Sequence, residues 1–152
     1  MNKTLLIPCL IATFLGTAVA AQTFSCALKD KRNSGWLPDR LVFELVEGQT
    51  TARTYDPITF SSKGEMARAK VQTDNSVRVA LRWKTDPYRN DKAKQGRDLS
   101  ANGALPIEYS ATLLRGGNMI MLRAYPSGVN DPFSARGACK VSDGPLEQLI
   151  GP

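Results

Sequence analysis

The chain has 152 residues, no histidine, and 20 Lys and Arg against 14 Asp and Glu, a formal net charge of +6. This length suits one domain with a buried core and is short for two. Without histidine the chain cannot build Ser-His-Asp or Cys-His catalysis, and it lacks the commonest ligand for zinc and copper.

Residues 1–20 predict an export signal. Lys3 supplies the positive n-region, residues 5–15 are almost wholly apolar, and Ala18-Val19-Ala20 has the small-x-small pattern of a cleavage site. Cleavage is expected after Ala20 or Ala21. It leaves a periplasmic or secreted protein of net charge +5, because Lys3 is the only charged residue removed. No apolar run approaches the roughly 18 residues that a membrane span needs, so none is expected.

The cysteines predict one disulfide. Cys9 lies inside the export signal, so Cys26 and Cys139 remain as a single pair in an oxidising compartment. The predicted organisation is a signal peptide over 1–20, a single domain over 21–141 and a C-terminal tail over 142–152.

From residue 22 to residue 141, short β-rich runs alternate with turn-forming clusters, and no segment sustains a 3.6-residue period. This pattern is typical of an all-β protein. Residues opposed across an antiparallel ladder share a face, and three hairpins satisfy that condition. Their predicted strands are 41–47 with 50–55, 67–73 with 77–84, and 107–114 with 119–125.

The connection lengths predict the register of each hairpin. In the first, a type II′ turn with Gly48 at its first central position sets Leu45 opposite Ala52. In the second, a three-residue loop at 74–76 sets Val71 opposite Val79, which puts the apolar residues on one face. The third hairpin is joined by residues 115–118, and its register opposes three apolar pairs: Leu113 with Ile120, Ala111 with Leu122, and Tyr109 with Ala124.

Strands at 23–28 and 135–141 bring the total to eight, with Cys26 and Cys139 in the first and the last. An even number of up-and-down strands makes these two antiparallel, so the sheet can close without free edges. We therefore predict a small antiparallel up-and-down β-barrel closed by the disulfide, with a β-sandwich as the alternative. Eight strands enclose either a packed core or one small ligand, and both remain open.

The tail carries Leu146, Leu149 and Ile150 at helix-like spacing. The third hairpin has an outer face that is apolar for a solvated surface. We expect the tail to cover that face, which consists of Leu114, Met119 and Met121.

We expect no enzyme, catalytic residue, metal or cofactor. Both mature cysteines are expected to be oxidised, which removes thiolate chemistry. The carboxylates do not converge: Glu44 is opposed to Arg53 in the first hairpin, and Glu108 alternates outward opposite Tyr125.

Cations cluster on the outer face of the second hairpin. The predicted register places Arg68 opposite Arg82, with Lys70, Arg78 and Lys84 nearby. Directly opposed like charges destabilise a ladder, so an anionic partner would relieve them. This face is interpreted as an anion-binding stripe extended by three cations of the long 85–105 segment: Arg89, Lys92 and Lys94. The alternative is a solvated edge that its charges protect from aggregation. No nucleic acid is expected, because aromatic residues do not interleave with the cations.

Turn-like segments hold two aromatic residues, Trp36 and Phe133, that could plug a barrel end or line a ligand entrance. Short motifs across most of the mature chain resemble a group of small uncharacterised exported proteins of Gram-negative bacteria. They are Phe24-Ser25-Cys26, Gly35-Trp36-Leu37-Pro38, Tyr125-Pro126-Ser127-Gly128, Asn130, Phe133, Gly137 and Cys139. This resemblance implies export and the disulfide, but no activity.

Residues Ser61-Ser62-Lys63-Gly64 resemble the Ser-Gly-rich loop of periplasmic lysozyme inhibitors, although a charge of +5 suits a basic lysozyme poorly. The functional expectation is a monomeric, non-catalytic envelope protein that binds a small or anionic ligand through the barrel mouth or the basic hairpin. The alternatives are a protein inhibitor of an envelope-directed enzyme and a structural or accessory module.

Overall fold

The computed structural model describes residues 21–90, 104–142 and 144–150. In this part of the chain, eight antiparallel strands form one closed barrel in sequence order, which confirms the predicted fold. The strands are β1 (Ala21–Lys29), β2 (Arg40–Val46), β3 (Thr51–Tyr55), β4 (Ala67–Asp74), β5 (Arg78–Lys84), β6 (Ile107–Leu114), β7 (Met119–Pro126) and β8 (Phe133–Ser142). Two short helices accompany them, α1 (Pro57–Lys63) and α2 (Leu146–Ile150). The predicted export signal lies outside the described residues and stays a prediction.

The barrel closes where β8 pairs with β1. Cys26 lies directly opposite Cys139 in this ladder, and the predicted disulfide joins them with an S–S length of 2.03 Å. The bond links residues 113 apart in sequence, for which the chain-entropy model gives roughly 4 to 5 kcal/mol. Both cysteines face the core, so the covalent link lies inside the barrel.

Gly137 makes this closure possible. A Cβ atom at this position would lie 1.8 Å from the carbonyl oxygen of Ala27 on the neighbouring strand. Any side chain there would therefore push β8 away from β1.

Packed side chains fill the barrel interior. The Phe24 and Phe43 rings stack at 4.9 Å between centroids, and the Trp83 and Tyr109 rings lie 5.2 Å apart. The largest fully buried side chains of the core are Tyr109, Phe43, Leu41, Leu81, Ile107, Leu113, Ile120 and Leu122. Eight strands could enclose either a packed core or one small ligand, and this barrel has a packed core.

The two ends of the barrel differ. One end, the loop end, holds the long connections 30–39, 56–66 and 127–132 together with residues 85–90 and 104–106. The other, the turn end, holds the short turns 47–50, 75–77 and 115–118.

Trp36 plugs the loop end. It is buried, its ring lies 6.4 Å from that of Phe133, and its carbonyl accepts a 2.8 Å hydrogen bond from the Tyr109 hydroxyl. At the turn end, the Arg115 guanidinium lies 6.0 Å from the Phe24 ring centre and forms a 2.6 Å ion pair with Asp74.

The registers of the first and third hairpins are confirmed. Phe43 pairs with Thr54 in the first, and Leu113 pairs with Ile120 in the third. The predicted type II′ turn is wrong. The Gln49 N–H closes the turn by donating to the Val46 carbonyl at 3.1 Å, so Gly48, at φ 77°, is its third residue. Glycine tolerates this left-handed conformation.

The predicted register of the second hairpin is wrong. Val71 pairs with Leu81 rather than Val79, and a β-bulge follows between Val71 and Thr73. Asn75 explains the difference, because its side-chain oxygen accepts hydrogen bonds from two backbone N–H groups, those of Val77 at 3.0 Å and Arg78 at 2.9 Å. These bonds place the loop at 75–77, one residue later than predicted.

The prediction that the tail covers the outer face of the third hairpin is also wrong. Helix α2 packs on β2, where the outward-facing Val42 and the helix residue Leu146 are both fully buried. Leu114 and Met119 stay about half exposed. Polar contacts favour the observed position: Arg53 pairs with Glu147 of α2, and Arg40 donates a hydrogen bond to the Leu149 carbonyl.

The close approach at Gly137 yields a test. We expect Gly137→Ala to lower the free energy of unfolding by at least about 2 kcal/mol, because the new methyl group overlaps the Ala27 carbonyl and forces backbone movement. Gly116→Ala is the matched control, since a Cβ there meets nothing within 4 Å. Urea denaturation of both variants measures the difference. Equal stabilities would contradict the tight closure.

Candidate anion-binding site

The outward side chains of β4 to β7 form a basic surface. These strands carry six cations on their outer face and, among residues at outward positions on these fully described strands, one acid, Glu108. We call this surface the basic face; its cations are Arg68, Lys70, Arg78, Arg82, Lys84 and Arg123. Asp74, at the end of β4, pairs opposite the inward-facing Val79 and bonds Arg115 across the turn end.

All five sequence-predicted site residues lie exposed on this surface, but their neighbours differ from the prediction. Because the second hairpin is shifted, Arg68 does not lie opposite Arg82. Lys70 takes the position opposite Arg82, and Arg68 lies opposite Arg53 of β3. The ladders of β4 thus contain two directly opposed like-charge pairs where one was predicted, and a third pair, Lys29 with Arg136, lies away from this face where β1 meets β8.

Few acidic groups compensate these charges. Glu108 lies 3.2 Å from Arg82 and 3.4 Å from Lys84, so one carboxylate serves two cations. Arg53 pairs with Glu44 at 3.3 Å and with Glu147. Within the described residues, no acidic side chain lies within 4 Å of the other four cations of the basic face: Arg68, Lys70, Arg78 and Arg123.

Sequence reasoning missed a row of residues that crosses the basic face. Lys70 lies opposite Arg82, Arg82 opposite Ser110, and Ser110 opposite Arg123. Neighbouring strands are about 4.8 Å apart, so Ser110 lies between two arginines that are separated by roughly 10 Å. The predicted register of the third hairpin already implied the pairing of Ser110 with Arg123. The predicted up-and-down barrel implies that β5 pairs with β6, but the register that sets Arg82 opposite Ser110 was not predicted.

This row has the chemistry of an anion site. Guanidinium groups present several N–H donors in a planar fork that matches phosphate and carboxylate oxygens, and a serine hydroxyl adds a donor between them. Two arginines about 10 Å apart suit a ligand with several anionic groups better than a single small anion.

Asp56 is a buried acid at the loop end, directly after β3. It caps α1, with its side chain accepting from the Thr59 N–H at 2.8 Å and from the Trp83 indole N–H at 3.2 Å. Burial raises the pKa of Asp56, and burial together with this nearby carboxylate raises the pKa of Tyr109 well above its usual value. Through its two hydrogen bonds, the Asp56 carboxylate joins α1 to β5.

Helix α1 itself was not predicted, although its signals are present in the sequence. Asp56 is the N-cap, Pro57 is the first helical residue, and Gly64 ends the helix at φ 75°. The segment that resembles the lysozyme-inhibitor loop forms the end of this helix. There the Ser61 and Ser62 hydroxyls donate to backbone carbonyls within the helix, at 2.9 and 3.0 Å.

A depression of about 500 Å³ at the loop end corresponds to the predicted barrel mouth. Apolar and polar groups line it, among them Leu37, Ile58, Asp30 and Asn90. Three residues of the core, Leu28, Leu37 and Ile58, form part of its lining. Arg89 precedes the 91–103 segment, and Lys92 and Lys94, the other two cations of the predicted extension, lie in that segment, outside the described residues.

No protein-family model, curated protein or solved structure matches this chain. In the described ranges, no three His, Cys, Asp or Glu side chains are grouped as metal ligands would be. The helices described there are all too short or too polar to cross a membrane.

The buried Asp56 carboxylate predicts a pH dependence. Because its folded pKa exceeds the ordinary value of 3.8, its contribution to stability is complete below about pH 3.8 and is lost as the pH rises through the folded pKa. Asp56→Asn stays neutral throughout. The unfolding free energy of the wild type relative to this variant should therefore fall as the pH rises above about 3.8 and through the folded pKa.

Urea unfolding at a series of pH values measures that difference. Asp131→Asn, which alters an exposed carboxylate at the same end of the barrel, is the matched control. A wild-type advantage that is constant or grows with pH would contradict the assignment of Asp56 as an acid penalised by burial.

Proposed function

We propose that this chain is a non-catalytic, exported protein of the cell envelope that binds an anionic ligand on its basic face. The observation that carries the proposal is the direct opposition of like charges in the ladder: Lys70 to Arg82 and Arg68 to Arg53. Each such opposition costs a few tenths to about 1 kcal/mol. An anion bridging the two cations of a pair turns this repulsion into attraction.

The alternative interpretation, in which the charges protect a sheet edge, requires an unpaired edge strand. Charges on an edge strand prevent pairing with other chains. In the closed barrel, β4 is hydrogen-bonded to β3 and β5, and β5 to β4 and β6. Neither strand has a free edge to protect, so edge protection does not account for these cations.

The packed interior supports a ligand on the surface. Large side chains occupy the space that an enclosed ligand would need, including Phe43, Leu81 and Tyr109. The six cations of the basic face are exposed, and they belong to strands held on both sides. A rigid array of donors loses less conformational entropy on binding than a flexible loop does.

We expect the substitution Lys70→Glu to raise the stability of the protein and to lower its affinity for an anion. The new carboxylate faces Arg82, so we expect the unfolding free energy to rise by about 0.5 to 1 kcal/mol. Affinity for short-chain inorganic polyphosphate should fall about tenfold in low salt, and wild-type binding should weaken steeply as salt rises. Thermal unfolding and titration calorimetry measure the two quantities.

Lys31→Glu is the matched control, because it makes the same charge change at an exposed position in a loop-end connection. It should retain most of the affinity. Equal losses in the two variants would mean that net charge alone attracts the polyanion. No binding by the wild type, or full affinity in Lys70→Glu, would overturn the proposal.

A further inference from the structure

We propose that the anionic ligand is the surface of a lipid bilayer, and that the barrel docks on it through apolar side chains at the turn end beside the basic face. This inference rests on the proposed function and names its ligand class. The observation behind it is an exposed apolar patch, the tip patch, made of Val77, Leu114 and Met119. These side chains are 66%, 50% and 46% exposed.

The tip patch is continuous in space. Leu114 lies opposite Met119 on the outer face, and the Arg115 N–H donates to the Val77 carbonyl at 2.9 Å, which holds the two turns together. Large exposed apolar side chains grouped in this way mark interaction sites rather than an ordinary solvated surface. The tail leaves this patch uncovered, since α2 packs on β2 instead.

Two rows of cross-strand residues at and beside the tip patch carry cations. Arg78 lies directly opposite Leu114 in the row nearest the turn end. Two rows further along the strands, Arg82, Ser110 and Arg123 cross the same three strands. Successive outward positions on one strand are about 7 Å apart, so this row lies roughly 10 to 14 Å from the tip, depending on strand tilt.

That spacing matches the layers of a bilayer surface. Apolar side chains of interfacial proteins enter about 5 to 10 Å into the boundary between headgroups and acyl chains, and cations beside them meet anionic headgroups. Charge also favours this orientation. Among the described residues, two exposed acids lie at the turn end. Asp74, which precedes the turn that holds Val77, is paired with Arg115 at 2.6 Å. Glu47 belongs to the turn between β2 and β3, and β2 lies four strands from β6 around the barrel.

Vesicle co-sedimentation of the purified mature chain tests the inference. The probes are phosphatidylcholine vesicles with and without about one third phosphatidylglycerol. We expect binding to the anionic vesicles alone. The double substitution Leu114→Ser with Met119→Ser should lower their partitioning at least about tenfold, because its apolar insertion is lost. The same variant should bind polyphosphate as the wild type does, because its cations are intact.

Phe60→Ser is the matched control for lost apolar surface. Phe60 is 42% exposed and lies on α1 at the opposite end of the barrel, so its substitution should leave vesicle binding unchanged. Circular dichroism of each variant verifies folding. Equal binding to neutral vesicles, or full vesicle binding by the double variant, would overturn the docking mode.

Two further outcomes separate this inference from the proposed function. Polyphosphate binding that depends on Lys70, without vesicle binding, would overturn the lipid assignment and leave the anion-binding function standing. Loss of both would overturn both. A wild-type dimer that the double variant converts to a monomer would assign the tip patch to a second copy of the chain, and would also overturn the inference.

Discussion

The architecture of this protein follows from the pairing of β8 with β1. This pairing removes the last free edges of the sheet, and the Cys26–Cys139 bond secures it from inside the core. Gly137 allows the two backbones to approach closely enough for that ladder to form. Closure directs one side of every strand into a common core, which large side chains then fill.

Because the interior of the barrel is closed and filled, we place the proposed binding site on its outer surface. The core and the disulfide stabilise the strands independently of their outward side chains, so the fold can tolerate unfavourable charge pairs there. Lys70 and Arg82 are one such pair, and their strands, β4 and β5, have no free edge to protect. Local instability in a well-supported element is common at functional sites, which is why this face carries the proposed function.

Alternation of apolar residues was enough to predict eight strands, their inward faces and two of the three hairpin registers. Alternation could not determine the register of the second hairpin. The observed pairing of Val71 with Leu81 differs from the predicted one by two residues, and a shift of two residues keeps the same face inward. The local hydrogen bonds of Asn75 and a bulge decide between the two. Helix α1 is seven residues long, too short to show a period, although Asp56 and Gly64 mark its ends.

Apart from the disulfide, contacts between elements distant in sequence were not predicted in detail. The position of α2 depends on Val42 and Arg53, which lie on strands remote in sequence from the tail. Likewise Arg82 and Ser110 meet because β5 pairs with β6 across the long 85–106 connection. The two halves of the binding row, Lys70 with Arg82 and Ser110 with Arg123, were therefore visible in the sequence only as separate pairs.

Mapping of ligand-induced chemical shifts in ¹⁵N-labelled protein tests the central claim most directly. On titration with polyphosphate at low salt, saturable shifts should concentrate on the outward residues of β4 to β7, with Lys70, Arg82, Ser110 and Arg123 among the largest. Small shifts at the loop end would accompany them. Shifts that concentrate instead on the loop-end depression around Leu37 and Ile58, or a spectrum without saturable change, would contradict an anion-binding outer face.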